Sequence, residues 1–179
     1  MIKMEISIVI KYYGEKNGIS IDFTKDVILF NASDGRGTQI VEWNISDKLP
    51  QPSMEELEAL EPEALLYLAR QNKLTELDTK FNDALENGHM TCSFGVEIDA
   101  NNDALRNVGS LLLVMGADDK EMFCGYNNQF HELTRIQVEL LQKEIIRHIK
   151  GLYAKKWAFR EQINTLTTAE EVDSIVIKF

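Results

Sequence analysis

The sequence is poor in the residues that most often betray a function. Of its 179 residues, two are cysteine, three are proline and three are histidine. Cys92 and Cys124 stand apart, in MTCSFG and EMFCGY, with neither a CxxC nor a disulfide-framework spacing. Two buried, reduced thiols in an intracellular protein are the leading expectation, with a single disulfide between neighbouring strands as the competing reading. His89, His131 and His148 have no second His, Cys or acid at a zinc spacing, and HExxH is absent. Long apolar runs are missing too, and nothing approaches the ~20 residues needed to cross a bilayer. The N-terminal stretch MIKMEISIVIK lacks a small-residue cleavage site and is interrupted by Glu5, so residues 4–11 read as a strand, not a signal peptide.

Catalytic signatures are equally scarce. No G-x-S-x-G occurs, and Cys92 sits in no His-centred motif. DGRGT (34–38) suggests a phosphate loop, but the Gly-Lys-Ser/Thr ending and GxGxxG are both absent, so a hairpin turn is the better reading. DANND places Asp99, Asn101 and Asp103 at alternate positions like the start of a calcium loop. Ala104 and Ser110 then stand where that loop needs glycine and a bidentate glutamate, so helix capping by Asn101 or Asn102 explains the same residues. The expectation is a non-enzymatic protein with no cofactor and no metal.

What is present is ordinary soluble composition with uneven charge. Hydrophobic residues make up 44% and charged residues 27%, and the net charge of −10 disfavours nucleic-acid binding by the whole chain. Residues 51–100 carry 11 acids and 3 bases, net −8, whereas residues 134–163 carry 7 bases and 3 acids, net +4. Two such helical segments either pack together, meet complementary partners, or simply present solvated faces.

The pattern predicts an α+β chain in three stretches: a β-rich unit over 1–46, a proline linker over 47–53, and a helix-dominated α+β domain over 54–179. VILFNA (27–32) and TQIVEWNI (38–45) read as strands, with Val41, Trp43 and Ile45 on the apolar face. Pro50 and Pro52 stiffen the linker, and Ser53 with Glu56 forms a capping box that opens a helix. Leucines at 3–4 spacing continue it to Gly88, with Pro62 either inside or at the start of a second helix. MTCSFGVEI (90–98) reads as a strand, 102–116 as a helix, and two short strands flank Tyr126-Asn127-Asn128. Thr134 caps the longest helix, about 135–164, whose stripe of Val138, Leu141, Ile145, Ile149 and Leu152 is close to a heptad seam. Tyr153 and Trp157 extend it at core spacing, and Thr167 with Glu170 opens a last helix. Lys150, Lys155, Lys156 and Arg160 interleave with those aromatics. That mixture fits a nucleic-acid face, or more simply a solvated flank of lysines.

Two stretches carry a family likeness. Asp22-Phe23, the turn of NASDGRG, the strand IVEWN, and then PQP with an acidic helix resemble the XkdW-type phage tail-region proteins of prophage PBSX. FGVEIDANNDALRNV, the aromatic-Asn turn before HELTRIQVELL, YAKKWAFREQI and TTAEEVDSI resemble an uncharacterised domain of phage tail-fibre and tail-associated proteins. The resemblance implies a structural accessory or assembly factor of a phage tail, and it brings no catalytic residues with it. Its implied partners are other tail or tail-fibre proteins; the heptad-like seam of the long helix suggests a second copy of the chain, and the lack of a long apolar run leaves no membrane partner expected. Its implied location is the cytoplasm during synthesis and then the virion tail. Trp43, Arg147, Lys150, Lys155, Lys156 and Arg160 are the candidate interaction surface.

Overall fold

A computed structural model of the chain describes residues 5–32 and 37–179. In chain order the elements are α1 (Ile6–Lys16), β1 (Val27–Asn31), β2 (Thr38–Trp43), α2 (Met54–Glu86), β3 (His89–Thr91), β4 (Glu97–Asp99), α3 (Asn102–Val114), β5 (Lys120–Cys124), β6 (Phe130–Thr134), α4 (Arg135–Thr165) and α5 (Ala169–Asp173). The class is α+β: helices dominate, and the strands pair as antiparallel hairpins β1–β2, β3–β4 and β5–β6. The chain divides into two compact units, Met1–Lys73 with Leu166–Ile175, and Leu74–Thr165 with Val176–Phe179. Among the described residues no helix is long and apolar enough to cross a membrane.

The first unit begins with a correction. In the described part of the stretch expected as a strand over 4–11, Ile6–Lys16 is instead a helix that buries Ile6, Val9, Ile10 and Gly14. Ile6, Ile8 and Ile10 fit period two, but Ile6, Val9 and Ile10 fit a helical face equally well. Burial decides against the β-branched preference for strands. The core joins these residues to Val27, Ile45, Leu49, Leu57 and Ala64. Tyr12 and Lys16 both reach the Glu63 carboxylate, at 2.8 and 2.6 Å, and Tyr67 donates to Glu15, fixing α1 on α2. The proline stretch folds onto this unit: Leu49 is buried, and Tyr13 donates to the Pro50 carbonyl at 3.2 Å. The turn at 34–36 lies outside the described residues; next to it Gly37 has the positive φ, 78°, expected of a hairpin connection.

In the β1–β2 ladder Ile28 faces Glu42 while Leu29 faces Ile40, which leaves Val41 as a bulge. The extra residue changes which side chains point inward. Ile40 and Trp43 pack on the core, and Val41, expected inside, is 59% exposed.

Ser53 and Glu56 form the expected capping box, with reciprocal bonds of 2.7 and 3.2 Å. From there α2 runs unbroken through Pro62 for 33 residues, which makes it longer than α4 at 31. A proline inside a helix removes one backbone bond. Pro62 is exposed, and the buried Leu57 and Ala64 on either side hold the helix to the core. The last capping box is Thr168 with Glu171, one residue beyond the predicted pair. Lys73 donates to the Asp173 and Ile175 carbonyls at 3.3 and 3.2 Å, which meets the orphan acceptors at the end of α5.

The second unit packs β3–β4, α3 and β5–β6 against α4. Its core comprises Cys92, Val96, Ile98, Ala104, Val108, Met115, Leu133, Val138, Leu141 and Ile145. MTCSFGVEI is a hairpin and not one strand, because Gly95 turns the chain at φ 84° and returns its N–H to the Cys92 carbonyl. Asn101 caps α3 by accepting from the Ala104 N–H at 2.8 Å. Thr134 and Gln137 cap α4 reciprocally, at 3.0 and 3.4 Å. Of the two thiols expected to be buried, Cys92 is and Cys124 is exposed at the end of β5.

Candidate interaction surface

α4 spends its heptad-like seam inside the second unit. Val138, Leu141, Ile145 and Leu152 are buried, the first three in the core cluster, so that stripe is no assembly surface. A different face is open. Ile146, Lys150, Tyr153 and Trp157 follow one another at i, i+4, i+7 and i+11, with Ile146 40%, Tyr153 39% and Trp157 65% exposed. Tyr153 and Trp157, expected in the core stripe, therefore belong to the surface. Tyr153 meets the edge of Phe81 at 4.9 Å, and Trp157 stands 6.1 Å beyond it.

The candidate bases fall into two groups. Lys156 lies 4.2 Å over the Phe81 ring and 2.8 Å from Asp78 Oδ1, with Arg160 at 3.6 Å from the same oxygen. These two charges are engaged with α2, so the acidic and basic segments do meet. Arg147, Lys150 and Lys155 remain exposed on α4. Trp43 belongs to the first unit and is an anchor there. Its indole N–H donates to the Leu49 carbonyl at 2.8 Å, and its ring lies 6.4 Å from Tyr13.

Sequence reasoning missed two further features of the second unit. The outer face of β5–β6 carries Met122 and Phe130, 59% and 68% exposed, beside a Lys120–Glu132 ion pair of 2.9 Å. Neither strand alternates clearly enough in sequence to reveal which face is solvated. The second feature is an open cleft of about 240 Å³ that brings His89 and His148 together with Asp83, Asn87 and Phe179. Burial, then Lys155 and His89, hold the His148 imidazole below its ordinary pKa. Among the described residues no group of three His, Cys, Asp or Glu side chains is arranged for a metal ion.

Comparison with known families finds residues 68–176 matching the family described as a domain of unknown function, DUF4376. The chain belongs to the DUF4376 family. Residues 20–67 match the XkdW protein family, which makes this a phage-related protein. No curated protein and no solved structure matches the chain.

Within the DUF4376 region, the aromatic-Asn turn has a structural task. Tyr126 stacks on His89 at 4.2 Å and takes the Glu97 carbonyl through its backbone N–H, while the Asn127 side chain reaches the Glu97 carboxylate at 3.0 Å. A Cβ on Gly125 would meet the Glu97 carbonyl at 2.8 Å, so glycine permits this close approach. The XkdW-like residues serve the fold in the same way. Asp22 accepts from the Thr24 N–H and hydroxyl at 2.9 and 2.6 Å, and Asn44 donates to the Lys25 carbonyl at 2.9 Å.

Proposed function

We propose that this protein is a non-enzymatic accessory of a phage or prophage tail that works by protein–protein contact, with the outer face of α4 as its contact surface. The observation that carries the reading is the open stripe of Ile146, Lys150, Tyr153 and Trp157. Trp and Tyr are enriched in interface hot spots, and Tyr153 and Trp157 adjoin each other on this exposed face. The XkdW match supports a phage-related protein, and the sequence offers no catalytic signature. The same mixture of bases and aromatics could stack on a nucleic acid. Against that, Lys156 and Arg160 are engaged by Asp78, and the chain as a whole carries −10.

The test is retention of tail or tail-fibre proteins from a phage-induced lysate on the immobilised full chain, compared with Trp157→Ala. Specific retention lost in the variant supports the reading; equal retention by both removes α4 as the surface. Mass spectrometry of purified virions then separates a tail component, which is present, from a transient tail-fibre assembly chaperone, which is absent.

A further inference from the structure

Residues 176–179 cross the second unit with no helix or strand of their own. Their exposure alternates: Val176 and Lys178 are exposed, Ile177 is 2% exposed, and Phe179 is half-buried. That period of two is an extended segment with one face pressed onto the surface beneath it. Its seat is a groove between α2 and α4. Lys80 of α2, also paired with Glu76, donates to the Ile177 carbonyl at 3.2 Å. The Phe179 ring stands edge-on to Phe81 of α2 at 5.7 Å and to Phe159 of α4 at 6.1 Å. The groove is larger than its occupant. The cleft of His89 and His148, about 240 Å³, borders Phe179. A second cavity of about 230 Å³ is lined by Lys155, Ala158, Phe159, Gln162 and Lys178. Such a segment, without helix or strand and bordered by open space, belongs to the low-stability end of a fold.

We infer that this groove is a recognition site for an extended apolar-x-aromatic segment of a partner protein, and that Ile177 and Phe179 fill it in the free chain. The occupant's chemistry is read from the strap itself. It offers a buried aliphatic side chain, a backbone carbonyl for Lys80, and, two residues on, a ring for Phe81 and Phe159. A partner segment of the same pattern makes the same contacts, with alternate side chains giving the specificity. A longer one also fills the flanking cavities, and so displaces the strap. Residues 176–179 then act as a built-in competitor. Tethered beside the groove, they compete at an effective concentration on the order of millimolar. The apparent affinity for any partner falls with the fraction of chains in which the groove is open. The inference does not depend on the open stripe of α4 being a contact surface.

The probe is a fluorescein-labelled peptide of sequence SIVIKF, residues 174–179 of the chain. It is titrated by fluorescence anisotropy against the full chain and its variants, with circular dichroism confirming each fold. Phe179→Ala should bind the peptide at least about tenfold more tightly than wild type, because the competitor for the ring site is gone. Replacing the peptide's phenylalanine by alanine, or adding Phe159→Ala to Phe179→Ala, should abolish that gain. Equal affinity of wild type and Phe179→Ala overturns the inference, as does the absence of binding to either. Binding that ignores both the peptide's phenylalanine and Phe159 overturns it too, since the rings are then not the site. Where Phe179→Ala loses its helical signal, Phe179→Leu, which keeps apolar volume without the ring, is read by the same outcomes.

Discussion

Lys156 Nζ stands 2.8 Å from Asp78 Oδ1, joining the second half of α4 to the second half of α2. The lysine side chain is only 19% exposed and also covers the Phe81 ring, whereas Asp78 is 47% exposed. A pair in this setting falls between a surface ion pair, worth little, and a buried one whose breaking is costly. Asp78→Ala should therefore destabilise the second unit by about 1–2 kcal/mol. Lys156→Met, which keeps the stem over Phe81, should cost less. Urea unfolding of both single variants and the double variant measures the coupling. Strictly additive losses would show that the two side chains do not interact in solution.

The bulge at Val41 makes a second prediction. Val41→Thr should change stability by no more than about 0.5 kcal/mol, because the side chain points outward. Ile40→Thr should cost roughly 1–2 kcal/mol, since Ile40 packs on the first core. Simple alternation along TQIVEWNI predicts the reverse order. Thermal melts of the two variants decide between the arrangements.

That bulge also shows where sequence reading stops. Helix starts were legible, because a capping box is a local device: Ser53 with Glu56 and the Thr134 cap stand where their letters place them. Hairpin β5–β6 was legible from its Tyr126-Asn127-Asn128 turn. Ile6–Lys16 was not, because the four β-branched residues Ile6, Ile8, Val9 and Ile10 contain both periods and only distant residues such as Leu57 and Ala64 choose between them. The α4 stripes failed for a related reason. Spacing identifies a face, but whether that face is covered depends on neighbours such as Ile98 and Val108, remote in sequence. The His89–His148 cleft is assembled entirely by tertiary contact, and no local pattern announces it.

The capping boxes predict an acid limb of stability. Glu56 is held below the ordinary carboxylate pKa by the Ser53 backbone N–H and then its hydroxyl; Glu171 is held down by the Thr167 backbone N–H, then Thr168. A depressed folded-state pKa stabilises the fold above the unfolded value, about 4.3 for glutamate, and that contribution disappears as pH falls through the lower folded value. Glu56→Gln should flatten the decline of stability on acidification while leaving the fold intact, as read by urea midpoints at successive pH values. Ser53→Ala should cost about 1 kcal/mol at neutral pH. An unchanged acid limb in Glu56→Gln would mean the cap frays in solution.

His148 predicts a second pH dependence, of the same sign but at higher pH. Its cleft holds His89 from β3 and Asp83 from α2, and the Lys155 charge acts on the imidazole from its own helix. Burial is the largest influence on it, followed by the two basic neighbours, and the net result is a folded-state pKa below the ordinary value. As pH falls through about 6.5, the unfolded chain takes up the proton first, so protonation favours unfolding. The stabilising effect of a neutral His148 is therefore complete above that pH and is lost below it. His148→Gln, neutral at every pH, should remove this component and flatten the stability curve below about pH 6.5. Titration of the imidazole Cε1–H resonances gives an independent reading, with the His148 midpoint below that of a free histidine. Parallel stability curves for wild type and variant would show that the cleft stays hydrated enough to accept the charge.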